Sequence, residues 1–302
     1  MPRRPTIPPA LRGVTFRGSA AMRDGLLTRG QLASSAWRRL FRDVYVQRSV
    51  EIDHRGLCVA AVEHVLPSAV VTGASAAYLH GVRLVGPDDP VELLTPAPHG
   101  PVHGIRLHHG PLDPGDLVEV DGLRVASPTR TVWDLVCHRD LADAARFVDP
   151  LLRLGRLTGD DLAKYAWEHR GEPGYRLMEQ MAELADAGSE SPQESRTCVE
   201  LVLAGVPKPR TQYVIRDGGR FVARSDLAWP EYLVALEYDG YDFHHDRSDL
   251  SRDRARLNRQ LIAGWLVIHV TGDRLRRDLP GVVAEVLAAL RSRGWPGPPR
   301  LP

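Results

Sequence analysis

Arg224-Ser-Asp-Leu-Ala-Trp-Pro-Glu-Tyr-Leu-Val-Ala-Leu-Glu-Tyr-Asp-Gly240 reads as two adjacent strands around a tight turn at Pro230-Glu231-Tyr232. Proline cannot donate to a central ladder, so Pro230 marks the corner. With Glu231-Tyr232 as the loop, Trp229 faces Val234 and Asp226 faces Glu237, and facing residues have Cβ atoms about 5 Å apart. Alternation then puts Asp226, Ala228, Ala235, Glu237 and Asp239 on one face, and Leu227, Trp229, Val234 and Leu236 on the other. Acids are depleted in strands, buried carboxylates are costly, and close neighbours push one another toward protonation. A hard divalent cation with oxygen ligands resolves the conflict. An exposed sheet edge, or ion pairs to nearby arginines, would also accommodate the pattern. The metal reading is preferred.

Around this stretch lies a chain of 302 residues, 43% hydrophobic and 25% charged, enough for two or three domains with cores of their own. Cys58, Cys137 and Cys198 are too scattered for a disulfide framework or a CxxC metal site, so a reducing cytoplasm is expected. Met1 to Pro9 lacks the apolar run of a signal peptide. The longest weakly polar stretch, Val65 to Val82, contains Pro67, Thr72 and His80 and makes a poor membrane span. The net charge of +1 hides an asymmetry: +8 over residues 1–50, −10 over 51–190 and +3 over 191–302. A basic N-terminal arm attracts phosphate backbones, and the acidic middle suggests a different partner.

In chain order, Arg17 to Asp24 predicts a short helix and Thr28-Arg29-Gly30-Gln31 a capping box that opens a second. Ser34 or Ser35 would cap a third helix over Ala36 to Leu40, followed by a strand over Phe41 to Val46. That order is the one used by a winged helix-turn-helix, with Arg38 and Arg39 placed to reach DNA. Asp53 to Val65 and Val70 to Leu79 read as helices, and Val91 to Leu94 and Ile105 to His108 as strands. Leu117 to Val125 reads as a hairpin turning at Asp121-Gly122. Pro128 starts a helix through Cys137. His99, His103, His108 and His109 lack the spacing of a metal pair and read as ordinary histidines.

Residues 141–185 read as acidic helices broken at Gly155 and Gly171 to Gly174, and Asp186 to Ser189 as a linker. Ser191-Pro192-Gln193-Glu194 opens a capped helix ending at Gly205, and capping alone explains Glu194. Two strands flank Asp217-Gly218-Gly219, and Leu233 to Asp239 completes a meander. A helix over Asp249 to Ala263, a strand over Trp265 to Thr271 and a helix over Leu279 to Arg293 follow. The C-terminal order is α-β-β-β-α-β-α.

That order, with Glu194 on the first helix and Asp226 and Glu237-x-Asp239 on strands two and three, resembles the PD-(D/E)XK nuclease superfamily. It is most similar to the very-short-patch-repair endonuclease-like domains of unknown function found in many actinobacterial proteins. The likeness covers residues 190–290. It rests on Glu194-Ser-Arg196, Asp226-Leu-Ala-Trp-Pro230, Leu236 to Gly240, His244, Arg252-Asp253-x-x-Arg256 and Gly264-Trp265. The N-terminal part resembles AbiEi-type antitoxin proteins of type IV toxin–antitoxin systems, through Thr28 to Leu32, Val44-Tyr45-Val46 and Pro128-Thr129-Arg130-Thr131. Together the resemblances imply a multi-domain α/β (α+β) fold: a winged-helix-like region (1–50), a mixed α/β antitoxin-like domain with a helical linker (51–189) and a restriction-endonuclease-like domain (190–302).

The nuclease resemblance also implies roles. Asp226 and Glu237 would hold Mg²⁺ (or Mn²⁺), with the Tyr238 carbonyl. Glu194 would orient a metal-bound water, Arg252 and Arg256 would bind phosphate oxygens, and His244 would act as acid or base. The superfamily usually has Lys two residues after the second acid, where this chain has Asp239, and only Lys164 and Lys208 occur in the sequence. An arginine, His244 or a second cation must supply the missing charge, or cleavage is weak or absent. The expected function is DNA binding with Mg-dependent endonuclease-like cleavage. The alternative is a non-catalytic transcriptional regulator or antitoxin-like protein on a nuclease scaffold. A weaker third reading has the acidic middle bind a basic toxin partner.

Overall fold

The structure, a computed structural model, describes residues 7–239 and 247–297, with side chains from Arg254 onward in the second span. The chain divides into two compact units, Met1–His138 and Arg139–Pro302. It is a mixed α/β protein, and among the described residues no helix is long and apolar enough to cross a membrane.

The first unit opens with β1 (Phe16–Arg17), α1 (Gly18–Arg23), α2 (Arg29–Leu32), β2 (Trp37–Phe41) and β3 (Val44–Gln47). The Thr28–Gln31 capping box forms as its sequence requires, with Gln31 N donating to Thr28 Oγ1 and Thr28 N to Gln31 Oε1. The expected third helix does not: Trp37–Phe41 is a strand in the antiparallel sheet β1-β3-β2. Arg38 and Arg39 therefore sit on a strand and not on a recognition helix, and the helix-turn-helix part of the N-terminal expectation is corrected. Tertiary pairing overrides the local signal here. A register shift between Arg39 and Phe41 sends Trp37 into one small core with Leu11, Phe16, Ala21 and Leu27, and Phe41 into the main core. Asp43, at φ 63°, closes the hairpin.

The rest of this unit runs α3 (His54–His64), β4 (Val70–Val71), α4 (Gly73–Leu79), β5 (Val91–Thr95), β6 (Ile105–His109), β7 (Leu117–Val120), β8 (Leu123–Ala126) and α5 (Pro128–His138). Its five-stranded sheet has the order β6-β5-β4-β8-β7, mixing parallel and antiparallel pairs over a core of Leu57, Cys58, Val71, Leu93 and Val125. The apolar run from Val70 is a short strand before its helix, because Val70 and Val71 pair with Leu94 and Leu93.

The second unit begins with α6 (Leu141–Arg153), α7 (Gly159–Glu168), α8 (Tyr175–Leu184) and α9 (Pro192–Leu203). It continues through β9 (Arg210–Asp217), β10 (Arg220–Trp229), β11 (Val234–Asp239), α10 (Arg247–Ile262), β12 (Leu266–Thr271), α11 (Gly272–Arg277) and α12 (Leu279–Ser292). Helix α11 is an addition to the expected order. Asp186, expected in a linker, is pinned: its N donates to Asp149 Oδ1 at 2.9 Å, and its Oδ2 accepts from Thr211 Oγ1 at 2.9 Å.

The sheet order is β12-β11-β10-β9, with β11 and β12 parallel and the other pairs antiparallel. Pro230 opens the single 3₁₀ turn between β10 and β11, and Trp229 pairs with Val234. Leu227, Trp229, Val234 and Leu236 pack with Cys198 and Leu201 of α9 and Val282, Val286 and Leu290 of α12. Ala228 and Ala235 face the opposite way, into a smaller core with Ile215, Val222, Ala223 and Trp265. Small residues on that face leave room for α10 to lie close to β10 and β12.

Candidate functional site

Asp226 lies where the β10–β11 ladder ends. Pairing is regular through Leu227 and Leu236. One residue further, the Asp226 carboxylate takes the place of a ladder bond, with Oδ2 accepting from Tyr238 N at 2.8 Å. On its other side Asp226 has Gln212 of β9 for a neighbour, and here the backbone is strained. Gln212 has φ 48°, which costs a non-glycine residue about 1–3 kcal/mol. That twist aims its amide between two acids: Nε2 donates to Glu194 Oε2 at 2.8 Å and to Asp226 Oδ1 at 3.3 Å.

Glu194 is buried at the first turn of α9. Its N donates to Ser191 Oγ, as a capped helix requires, while its side chain accepts from Glu190 N at 3.1 Å. The cap explains the backbone but not the shared amide. Burial pushes the Asp226 carboxyl above the ordinary carboxylate range; the Tyr238 amide draws it down, and Glu194 and Glu237 push it up again.

Glu237 is only 6% exposed and fully engaged. Its Oε1 accepts from Ser225 Oγ at 3.1 Å and from Gln260 Nε2 at 2.7 Å. Its Oε2 lies 2.7 Å from Arg256 Nη2, and the same Nη2 donates to Arg224 O at 3.1 Å. Arg256 and Gln260 are four apart on α10 and so share a helix face directed at the sheet. Asp239 Oδ1 meets His269 Nδ1 of β12 at 3.3 Å. The Oε1 atoms of Gln212 and Gln260 and Nε2 of His269 are buried without a hydrogen bond.

The structure thus brings Glu194 and Glu237 near enough to Asp226 to act on its charge, while Asp239 is directed to His269. Arg256, expected on phosphate, rests on Glu237. Arg252 lies on α10 with its side chain outside the described residues, and His244 falls outside them altogether. Sequence reasoning missed Gln212, Ser225, Gln260 and His269. Of these, His269 is legible in retrospect as an imidazole in an otherwise apolar strand.

The donors are all oxygens, which suits Mg²⁺ or Mn²⁺ better than a metal that favours nitrogen or sulfur. Among the described residues Asp226 Oδ1 meets only the long contact from Gln212, so it can take a cation without losing its backbone bond. The three carboxylates do not all approach within 4.8 Å of one another, and Glu237 can ligate through Oε2 only after Arg256 moves.

In the first unit, Arg38 and Arg39 line a cleft of about 370 Å³ together with Asp88 and Asp89, so its formal charges balance. Arg38 Nη2 is directed to Val50 O at 3.4 Å, while Arg39 is exposed.

No family model matches the chain, and no solved structure matches it. Two relatives from Mycobacterium tuberculosis do: the uncharacterized proteins MT2308 of strain CDC 1551 / Oshkosh and Rv2248 of strain ATCC 25618 / H37Rv, each 28% identical over 172 residues. The similarity covers 57% of this chain and 63% of either relative.

Proposed function

We propose that the second unit is a divalent-cation-dependent endonuclease-like domain that hydrolyses phosphodiester bonds in DNA. The observation that carries this reading is the Gln212 amide held at a strained backbone angle between Glu194 and Asp226. Two acids brought together with no arginine between them among the described residues, at the end of a strand pair, suit a site that expects a cation. The α-β-β-β-α-β order that opens with α9, followed by α11 and α12, and the mixed four-stranded sheet support the nuclease resemblance.

In this reading Asp226 and Glu237 hold Mg²⁺ or Mn²⁺, with the Tyr238 carbonyl. The bound ion would lower the pKa of a water and offset charge on the scissile phosphate. Glu194 orients that water, and Gln212 fixes both acids. Arg256, and Arg252 one turn earlier on α10, bind phosphate oxygens. His244 is kept as a candidate acid or base. Asp239, paired with His269, occupies the usual lysine position, and Arg256 is the positive charge nearest to that role. Arg39, exposed on β2, and the half-buried Arg38 beside it offer a basic strand, in place of a helix, as the DNA contact of the first unit.

The Arg256–Glu237 pair favours a second reading. It neutralises Glu237 without a metal, as in a regulator or antitoxin-like protein that keeps the nuclease scaffold but does not cleave. Incubation of the protein with supercoiled plasmid and Mg²⁺ or Mn²⁺ separates the two. Nicking that EDTA and Asp226→Ala both abolish is the expected result. Equal nicking by wild type and Asp226→Ala would remove the assignment, and no nicking by either would favour the regulator.

A further inference from the structure

Among the described residues Glu237 makes three contacts, and two kinds of partner supply them. Ser225 Oγ and Gln260 Nε2 are neutral donors on Oε1, while Arg256 puts a full charge on Oε2 at 2.7 Å. A neutral donor and a metal can share a carboxylate. A guanidinium and a divalent ion on the same oxygen repel each other, and in a half-buried site that repulsion is weakly screened. Oε2 therefore holds one cation or the other. Arg256 has the freedom to yield: its side chain is 39% exposed, and among the described residues its remaining bond is the one to Arg224 O at 3.1 Å. It also needs an anion to go to, because an arginine that leaves a buried carboxylate without another partner loses a charge-assisted bond.

From this geometry we infer that Arg256 is the resident counter-cation of Glu237, and that it exchanges with the divalent ion when a phosphate arrives to receive the guanidinium. The inference rests on the metal-dependent reading of the site and adds its regulation. Metal binding and nucleic-acid phosphate binding then favour each other. Without a phosphate the arginine competes with the metal; with one bound, the arginine moves to the phosphate and frees Oε2. Reciprocity follows from linkage, so the metal must tighten DNA binding by the same factor. The absence of lysine at position 239 fits the scheme, because a fixed second cation beside Glu237 would prevent the exchange.

The test is Mn²⁺ titration of the full chain by calorimetry at pH 8, with and without a phosphorothioate DNA duplex that resists cleavage. In wild type the duplex is expected to tighten Mn²⁺ binding by a factor in the usual range for coupled sites, about 5-fold to 150-fold. Arg256→Met should bind Mn²⁺ more tightly than wild type without DNA, and the duplex should add little. Arg256→Lys retains a charge and should keep weak binding without DNA. Mn²⁺ affinity in Arg256→Met equal to or below that of wild type, with wild-type binding still lost in Asp226→Ala, overturns the exchange and leaves the metal site standing. No Mn²⁺ binding by wild type or by Arg256→Met, with or without duplex, removes the metal site and the exchange together.

Discussion

The two units treat their buried acids in opposite ways. In the first, Glu92, Asp116 and Asp134 are almost fully buried, and each meets an arginine. Arg106 Nη1 lies 2.6 Å from Glu92 Oε1, and Arg130 bridges Asp116 at 2.8 Å and Asp134 at 3.0 Å. The other oxygen of Glu92 accepts from Ala74 N at 3.0 Å, and Thr72 Oγ1 donates to Asp134. These are closed networks in which charge and hydrogen bonds are balanced inside the protein.

In the second unit the balance varies along a few residues. Asp149 accepts from the Asp186 amide, and burial pushes it up to about 6. Glu237 has Arg256. Glu194 and Asp226 share one amide, and the charges acting most strongly on Asp226 are those of other carboxylates. A buried acid beside an arginine is architecture until shown otherwise. Two acids held together by a strained glutamine meet no cation among the described residues, and in the proposed reading an external cation balances them.

The largest effect expected from this contrast is in the first unit. Arg130 is buried and serves two carboxylates and the Pro111 carbonyl at once. Arg130→Met keeps the aliphatic stem and strands Asp116 and Asp134 without their cation. A loss of about 3–5 kcal/mol is expected, the usual cost of leaving a buried charge uncompensated. Hydrogen exchange on peptides from α5 and β8 would read it as a collapse of protection. A change below about 1 kcal/mol would mean that the network is not closed by Arg130, and the contrast between the units would lose its first half. Arg256→Met should cost less, because Arg256 is half-exposed and Glu237 keeps Ser225 and Gln260.

How far this was visible in the sequence depended on whether a residue's neighbours were local. Pro230 and the alternation on both sides of it were enough for the hairpin, its register at Trp229 and Val234, and the two faces of the sheet. Ser191 and Glu194 similarly marked the start of α9. Arg38 and Arg39 were misread because a five-residue segment carries little periodic signal, and the pairing with Val44 to Gln47 decided it. Gln212 was invisible for a different reason. Its left-handed backbone is imposed by the sheet around it, and a glutamine in a strand advertises nothing. Gln260 and Arg256 lie on an arginine-rich helix, Arg256 expected on phosphate, and only the fold shows which face meets Glu237. The acids themselves were legible, while their partners were not.

The smallest effect expected sharpens the second half of the contrast. Asp226→Asn keeps the shape of the side chain and removes its charge. The new amide can still accept from Tyr238 N through its oxygen. Its NH₂ group would oppose Gln212 Nε2, which stays on Glu194 Oε2, so the 3.3 Å contact is lost at a cost that does not depend on pH. The sign of the stability change follows from the raised pKa of Asp226. The folded chain binds this proton more tightly than the unfolded chain, so wild type loses stability as pH rises from about 4 through the raised folded value. The asparagine variant has no such loss. Relative to wild type it should gain stability modestly between low pH, where Asp226 is protonated in both states, and neutral pH. Asp149 also loses a proton on the way from pH 4 to about 6, but it is present in both proteins, so the difference between the two melting curves isolates Asp226. A variant that is less stable than wild type at pH 7 by more than it is at pH 4 would mean that the Asp226 charge is already balanced inside the fold. The acids of the second unit would then belong with those of the first.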